Sequence, residues 1–398
     1  MKQLKVLFVA VGGHGGTNAR EVLEHGKEHN MIIEGVVDPF IEKAALRDRI
    51  YEENIPVYNT VSEFYKEHSA DLAIISTPIH MHADMSIECM ENGSDVLCEK
   101  PVAPTLQEAG RMLEAEKRTG RRLSIGYQLS FSGATLKLKD DIQSGLFGKP
   151  VSMYAALWWP RSSAYYARPW AAKKYMDGKY VLDSIAMNAC AHYLHNMLFL
   201  LGDSRHEAAK PDSMDALLCR GNDIEMYDTA FMRVRAKGID LKFAATHVSK
   251  VNKGPVCRYI FEKAVVEMSH LNNDGLAITA HFTDGTEKKY ESTNMDTPRK
   301  IWHAAEMLRG ETGPVCTAET SMSHLICINA ASEFVPVKVL DKAVRDGDFM
   351  VMPGIDRVME EAFEKDVMPW ELSDEFGSPV HVDLTDYRAF GGVYDEKQ

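Results

Sequence analysis

The residues best suited to chemistry lie early in the chain. Ala10-Val11-Gly12-Gly13-His14-Gly15 closes a strand-like run and opens a helix-like one, in an AxGxxG pattern. Small residues at this spacing let a backbone turn tightly and approach a pyrophosphate, while the first N–H groups of the helix face the phosphates. Ala10 stands where a first glycine is usual, a mild departure if it keeps a strand-like conformation. Asp38 ends the second strand, where an acidic side chain accepts hydrogen bonds from ribose hydroxyls and repels a 2′-phosphate. NAD is therefore expected over NADP, against the plainer reading of Asp38-Pro39 as a turn. His14 is expected to lend its backbone to the loop. His80 and His82 form an HxH without a third ligand in view, so no metal site is expected.

A second group lies at 158–180, WWPRSSAYYARPWAAKKYMDGKY. Seven of these 23 residues are aromatic, against 9% for the chain, and Arg161, Arg168, Lys173 and Lys174 are interleaved. Aromatic faces stack on the C–H faces of sugars, and cationic groups bind hydroxyls or carboxylates. Arg161, Tyr166, Arg168 and Trp170 are the candidate substrate contacts. An edge strand with an oligomer contact is an equal alternative. His247, ending a strand in ATHVSK, could face the same pocket.

These groups need elements to hold them. Short apolar runs at Val6–Val11, Met31–Val37, Leu72–Ser76, Asp95–Glu99 and Leu123–Tyr127 read as strands buried on both faces. Helical patterns alternate with them at Thr17–Glu28, Ile41–Glu52, Val61–Glu67, Ala83–Glu91 and Thr105–Arg118. Thr105 with Glu108 forms a capping box. Alternating β and α predicts a parallel sheet with right-handed crossovers. After Tyr127 the rhythm changes. Strands at 151–159, 214–220, 226–235, 239–248, 256–268 and 276–282 predict a mainly antiparallel sheet, with helices around 184–201 and 317–344 on one face and another near 354–365.

The chain has 398 residues, enough for two domains. With 58 acidic against 45 basic residues its net charge is −13, which argues against nucleic acid or an anionic membrane as partner. The seven cysteines (89, 98, 190, 219, 257, 316 and 327) form no CxxC and read as reduced thiols. The apolar run near the N-terminus is too short for an export signal, so a cytoplasmic site is expected.

Residues 76–101 carry a resemblance. Ser76-Thr77-Pro78, then His82, then Cys98-Glu99-Lys100-Pro101, together with the glycine loop, Asp38 and Gly126-Tyr127, resemble the glucose–fructose oxidoreductase / inositol dehydrogenase (Gfo/Idh/MocA) family. The resemblance is specific mainly over residues 5–130. It implies an N-terminal Rossmann dinucleotide-binding domain, 1–126, followed by a C-terminal α/β domain, 127–398, with a large, mostly antiparallel open sheet for substrate binding and oligomerisation. It implies NAD(P)-dependent hydride transfer at a sugar, polyol or glycoside carbon, with Lys100 beside the nicotinamide. Gly12, Gly13, His14, Gly15, Asp38, Ser76, Thr77, Pro78, His82, Glu99 and Lys100 become the expected cofactor contacts, and Tyr127 a substrate contact.

The family places an aspartate and a histidine four residues apart at the start of a helix ending in Leu-Gly. Counting back from Gly202 puts His192 on the histidine and Asn188 on the aspartate. Asn188 cannot ionise, and Asp183 is the rival carboxylate, although Asp183-Ser184 reads first as a helix N-cap. A carbohydrate-like hydroxyl is thus expected between Lys100, His192 and Asn188, in a homo-oligomer (dimer or tetramer) built through the C-terminal sheet. Alternatives are an NAD-dependent glycoside-cleaving enzyme working by oxidation, elimination and reduction, a non-catalytic NAD-binding regulator, and an imine or biliverdin-type reductase.

Overall fold

The computed structural model describes residues 2–270, 276–291 and 298–392. The chain divides into two compact units. The first comprises 1–103, 107–131 and 297–321; the second comprises 104–106, 132–296 and 322–398. The division therefore differs from a single cut at 126, because a late segment returns to the first unit.

The first unit is a six-stranded parallel sheet. Its strands are β1 (Leu4–Val9), β2 (Met31–Val37), β3 (Val57–Tyr58), β4 (Leu72–Ile75), β5 (Asp95–Cys98) and β6 (Leu123–Ile125), in the order β3-β2-β1-β4-β5-β6. This is the doubly wound dinucleotide-binding order, which reverses beside β1. The helices include α1 (His14–His25), α2 (Arg47–Glu52), α3 (Val61–Glu67), α4 (His82–Glu91) and α5 (Leu106–Thr119). Two elements differ from expectation. The short β3 has too few residues to show a period, and Ile41–Glu52 breaks into a 3-10 turn at Ile41–Lys43 followed by α2. The core packs Val6, Phe8, Val36, Leu72, Ile74 and Leu97 against Ile301, Trp302, Ala304 and Ala305 of the returning helix Arg299–Leu308.

The second unit holds a ten-stranded sheet. Along it lie Glu287–Glu291, Leu276–Phe282, Ala264–His270, Lys253–Phe261, Pro150–Trp158, Ile239–Thr246, Thr229–Ala236, Ser213–Arg220 and Val337–Val339, with Val380–Asp383 also on Ser213–Arg220. All neighbours are antiparallel except Ile239–Thr246 with Pro150–Trp158 and Ser213–Arg220 with Val337–Val339. The expected strand 256–268 is two strands, which turn at Glu262-Lys263 where the charged pair interrupts the apolar alternation. The expected helix to 344 stops at Phe334, because Pro336 disfavours helical geometry just before it. Tyr154, Ala156, Trp158, Phe231 and Ala244 of the sheet pack with Val358 and Met359 of the helix Ile355–Lys365. The helix Ala191–Leu200 also packs on the central strands.

Candidate active site

In the first unit, the chain leaves β1 at Val9 and reaches α1 through Ala10–Gly13. Ala10 has φ 67°, so it is left-handed rather than strand-like, which costs an L-residue about 1–2 kcal/mol. A Cβ on Gly15 would stand 2.2 Å from the Ala10 carbonyl oxygen and 2.9 Å from Ser76 Cβ, so only glycine fits. A Cβ on Gly12 or Gly13 would meet nothing within 4 Å. Gly13 begins α1 without a side-chain cap, and no acidic residue occupies the first turn. The helix thus starts with uncapped N–H groups behind an open glycine wall, which fits a dinucleotide pyrophosphate. Gly12, Gly13 and Gly15 would hold that group.

Asp38 is buried at the end of β2. One carboxylate oxygen accepts the Val11 N–H at 2.9 Å and the other the Phe40 N–H at 2.8 Å. The side chain therefore shapes both the glycine loop and its own turn. Each oxygen retains a second lone pair for a ribose hydroxyl.

Ser76 follows β4, its N–H bonded to the Val9 carbonyl and its Cβ beside Gly15. His82 is fully buried, with Nε2 2.9 Å from the Thr77 carbonyl and Nδ1 2.8 Å from the Pro101 carbonyl. Its ring ties the loop after β4, which carries Thr77 and Pro78, to the loop after β5. This corrects the expectation of a direct cofactor contact: both ring nitrogens are engaged with protein backbone. Burial lowers the His82 pKa, while the two carbonyls pull the other way.

The loop after β5 holds the charged centre. Glu99 is buried and its Oε1 takes three partners: the Lys300 ammonium, the Asn18 amide at 2.8 Å, and His14 Nε2 at 3.5 Å. Lys300 Nζ is fully buried and also lies 3.2 Å from His14 Nε2. Burial is the largest single effect and would raise the Glu99 pKa, but the Lys300 and His14 charges and the hydrogen bonds from Lys300 and Asn18 together outweigh it and hold the carboxyl at about 2. His14 does more than lend its backbone. Burial lowers its pKa against the Glu99 charge, and both Lys300 and Lys100 add to the lowering. Lys100, half-buried, follows at the carboxyl edge of the sheet, where its charge acts on His14 and His82.

Lys300 was not anticipated. Its sequence signal is a lysine on the apolar stripe of Arg299–Leu308, in register with His303, Ala304 and Met307, where a buried counter-charge is required. Tyr127 needs correction as a substrate contact. It is fully buried in this unit near Cys316, and burial drives its pKa far upward.

In the second unit the expected continuous helix is broken. A π-turn at Ile185–Ala189 ends at Cys190 and the α-helix Ala191–Leu200 follows. Between Val181 and Gly202 only Asn188, Ala189 and His192 are not buried, so the two polar side chains share the one open face despite the break. Ser184, not Asp183, is the N-cap, accepting the Met187 N–H. Asp183 is buried. It accepts the Ala172 N–H at 2.6 Å on one oxygen and the Asn188 amide at 2.9 Å on the other. A carboxylate thus stands directly behind Asn188. His195 is core: it stacks on Phe199, and burial holds its pKa far down.

The aromatic segment supplies a neighbouring cluster. Arg168 lies 4.0 Å from the Tyr165 ring centroid and 4.5 Å from that of Trp170; Arg161 lies 5.2 Å from that of Tyr165. Tyr166 pairs its hydroxyl with His247 Nδ1 at 2.8 Å. Burial raises the pKa of both Tyr165 and Tyr166; the Asp183 charge adds to it at Tyr165, and the Asp228 charge, ahead of Asp183, at Tyr166. Lys173 is turned to Glu225 instead. Among the described residues no group of three His, Cys, Asp or Glu side chains could hold a metal ion, and no helix is long and apolar enough to cross a membrane. All seven cysteines are buried, and none is in a disulfide.

A parallel six-stranded sheet with an open glycine loop at its switch point defines a dinucleotide-binding architecture. Residues 4–127, about a third of the chain, match the model of the oxidoreductase family with an NAD-binding Rossmann fold (Gfo/Idh/MocA). An inositol 2-dehydrogenase of Saccharopolyspora erythraea is 29% identical over 156 residues, 39% of this chain and 45% of that protein. An alpha-N-acetylgalactosaminidase of Shewanella oneidensis is 25% identical over 164 residues, 39% of this chain and 35% of that protein. The match thus spans less than half the length of either relative. The WlbA dehydrogenase of Bordetella pertussis, solved with NADH and UDP-GlcNAcA, shares the fold. It aligns with TM-score 0.67 and 20% identity over 83% of this chain and 95% of that one.

Proposed function

We propose that the protein is an NAD-dependent oxidoreductase acting on a hydroxyl-bearing carbon of a sugar or polyol. The observation that carries this reading is the gathering of the open glycine loop, Asp38 and the Lys100 ammonium at the carboxyl ends of neighbouring parallel strands. Open α/β sheets bind ligands there. Gly12, Gly13, Gly15 and Asp38 would hold NAD, which would supply a hydride acceptor for the substrate carbon. Asp38 favours it over NADP, because a 2′-phosphate would face a buried carboxylate. Lys100 donates hydrogen bonds to the reacting oxygen and stabilises its developing negative charge. His192 receives the hydroxyl proton, and Asn188, held by Asp183, orients the hydroxyl. The alcohol loses one hydride and one proton and becomes a carbonyl; reduction reverses both transfers.

The test is steady-state NADH formation with a panel of sugars and polyols. Lys100→Ala should lower kcat by about 100-fold or more while NADH affinity, read by fluorescence, changes little. His192→Ala should behave alike. A fully active His192→Ala protein excludes that role. The galactosaminidase relative favours a second reading, in which oxidation, elimination and re-reduction cleave a glycoside with no net NADH. Release of free sugar from a glycoside without NADH accumulation would select it. We extend the proposal to an assembly of like chains through the ten-stranded sheet, whose last strand leaves Val339 exposed, and sedimentation measures this.

A further inference from the structure

The aromatic segment of the second unit gathers two arginines beside a buried histidine, and their hydrogen-bonding atoms are only partly met by the protein. Arg161 and Arg168 flank one ring, that of Tyr165. In a chain of net charge −13, neither has a carboxylate within ion-pair distance among the described residues. Their hydrogen bonds run to the carbonyls of Pro160 and Tyr165. Arg168 Nη2 is sealed from solvent and has no hydrogen-bond partner.

His247 adds a third donor. It is 2% exposed, and its Nε2 is likewise sealed and without a partner. Burial and the two arginine charges hold its pKa far down, so the ring is neutral. Its Nδ1 shares a hydrogen bond with the Tyr166 hydroxyl at 2.8 Å, and the tautomer in which that hydroxyl donates leaves the ring proton on Nε2, facing the arginines as a donor. Orphaned buried donors of this kind are costly, and an acceptor is what removes the cost.

We propose that Arg161, Arg168 and His247 form a subsite for a carboxylate carried by the substrate, so that the protein acts on a sugar acid rather than a neutral polyol. The proposal rests on the oxidoreductase reading above and narrows its substrate. Planar guanidinium groups match the two oxygens of a carboxylate. Trp159, Tyr165 and Trp170 carry the arginines and supply faces for sugar C–H groups. The buried Asp183 charge, felt by Tyr165 and Tyr166, opposes a dianion and so disfavours a phosphate ester.

The experiment uses the full chain with NADH bound, titrated calorimetrically with D-glucuronate, D-glucose and glucose 6-phosphate. NADH binding is measured first, and its failure would count against the oxidoreductase reading itself. Given NADH binding, glucuronate should bind at least tenfold more tightly than glucose and more tightly than the phosphate. Arg168→Met and Arg161→Met should each weaken glucuronate by about 10- to 100-fold, at least tenfold more than they weaken glucose, with NADH binding unchanged. Arg168→Lys should recover part of the loss. No saturable glucuronate binding, equal binding of glucose, tighter binding of the phosphate, or indifference to both arginine variants would overturn the proposal.

Discussion

Replacing Lys300 by methionine isolates the buried ion pair of the first unit. In the unmodified protein Glu99 is held at about 2, against 4.5 for an ordinary glutamate. At about 1.4 kcal/mol per pH unit this is about 3 kcal/mol of stability. The folded pKa lies below the unfolded one, so this contribution is present above pH 4.5 and lost only as pH falls through about 2. Lys300→Met leaves Glu99 charged, buried and without its main partner, a loss of about 3–5 kcal/mol. For a unit of this size that lowers Tm by roughly 6–20 °C at pH 7. The sign of the pH dependence then reverses. Burial now raises the Glu99 pKa, so the deficit shrinks toward pH 5 as the carboxyl takes up a proton. His14, 3.5 Å away, gains basicity once the ammonium is gone and adds to the recovery as pH falls. Glu99→Gln combined with Lys300→Met removes both charges and should restore most of the Tm. Thermal melts of the three proteins at pH 5 and pH 7 give the answer. A Lys300→Met protein that melts within 2 °C of the unmodified one at pH 7, or with the same deficit at both pH values, refutes the reasoning.

Three further outcomes are expected. Gly15→Ala should abolish NADH binding and lower Tm, because its Cβ overlaps the Ala10 carbonyl, whereas Gly12→Ala should leave Tm within the scatter of the melts and weaken only NADH, read by fluorescence titration. Asp38→Ser should narrow the preference for NADH over NADPH and also destabilise the protein by about 1–3 kcal/mol, since the buried Val11 N–H loses its acceptor; calorimetry and melts report the two effects separately. Ser184→Ala should cost about 1 kcal/mol as a lost N-cap with kcat kept, whereas Asp183→Asn should lower kcat by turning an amide N–H₂ toward either the Ala172 N–H or the Asn188 amide.

What the sequence determined on its own was local. The apolar runs and the helical periods between them define five of the first unit's six strands to within about two residues, because a buried parallel strand needs only its own continuous apolar stretch; the two-residue β3 is too short to leave one. The glycine loop was legible because tight turns and close approaches demand glycine wherever they occur. The position of Asn188 and His192 followed from counting along one segment. The contacts that give these residues their properties were decided by the tertiary structure. Glu99 and Lys300 are 201 positions apart, and no local pattern connects them. Asp183 and Ser184 are equally good caps in sequence. Only the fold of the segment before them, which brings the Ala172 N–H to Asp183, separates cap from carboxylate. The π-turn before Cys190, the left-handed Ala10 and the double engagement of His82 are likewise outcomes of packing and hydrogen-bond closure. Each satisfies partners supplied by distant or neighbouring backbone, and residue type and spacing carry no record of those partners.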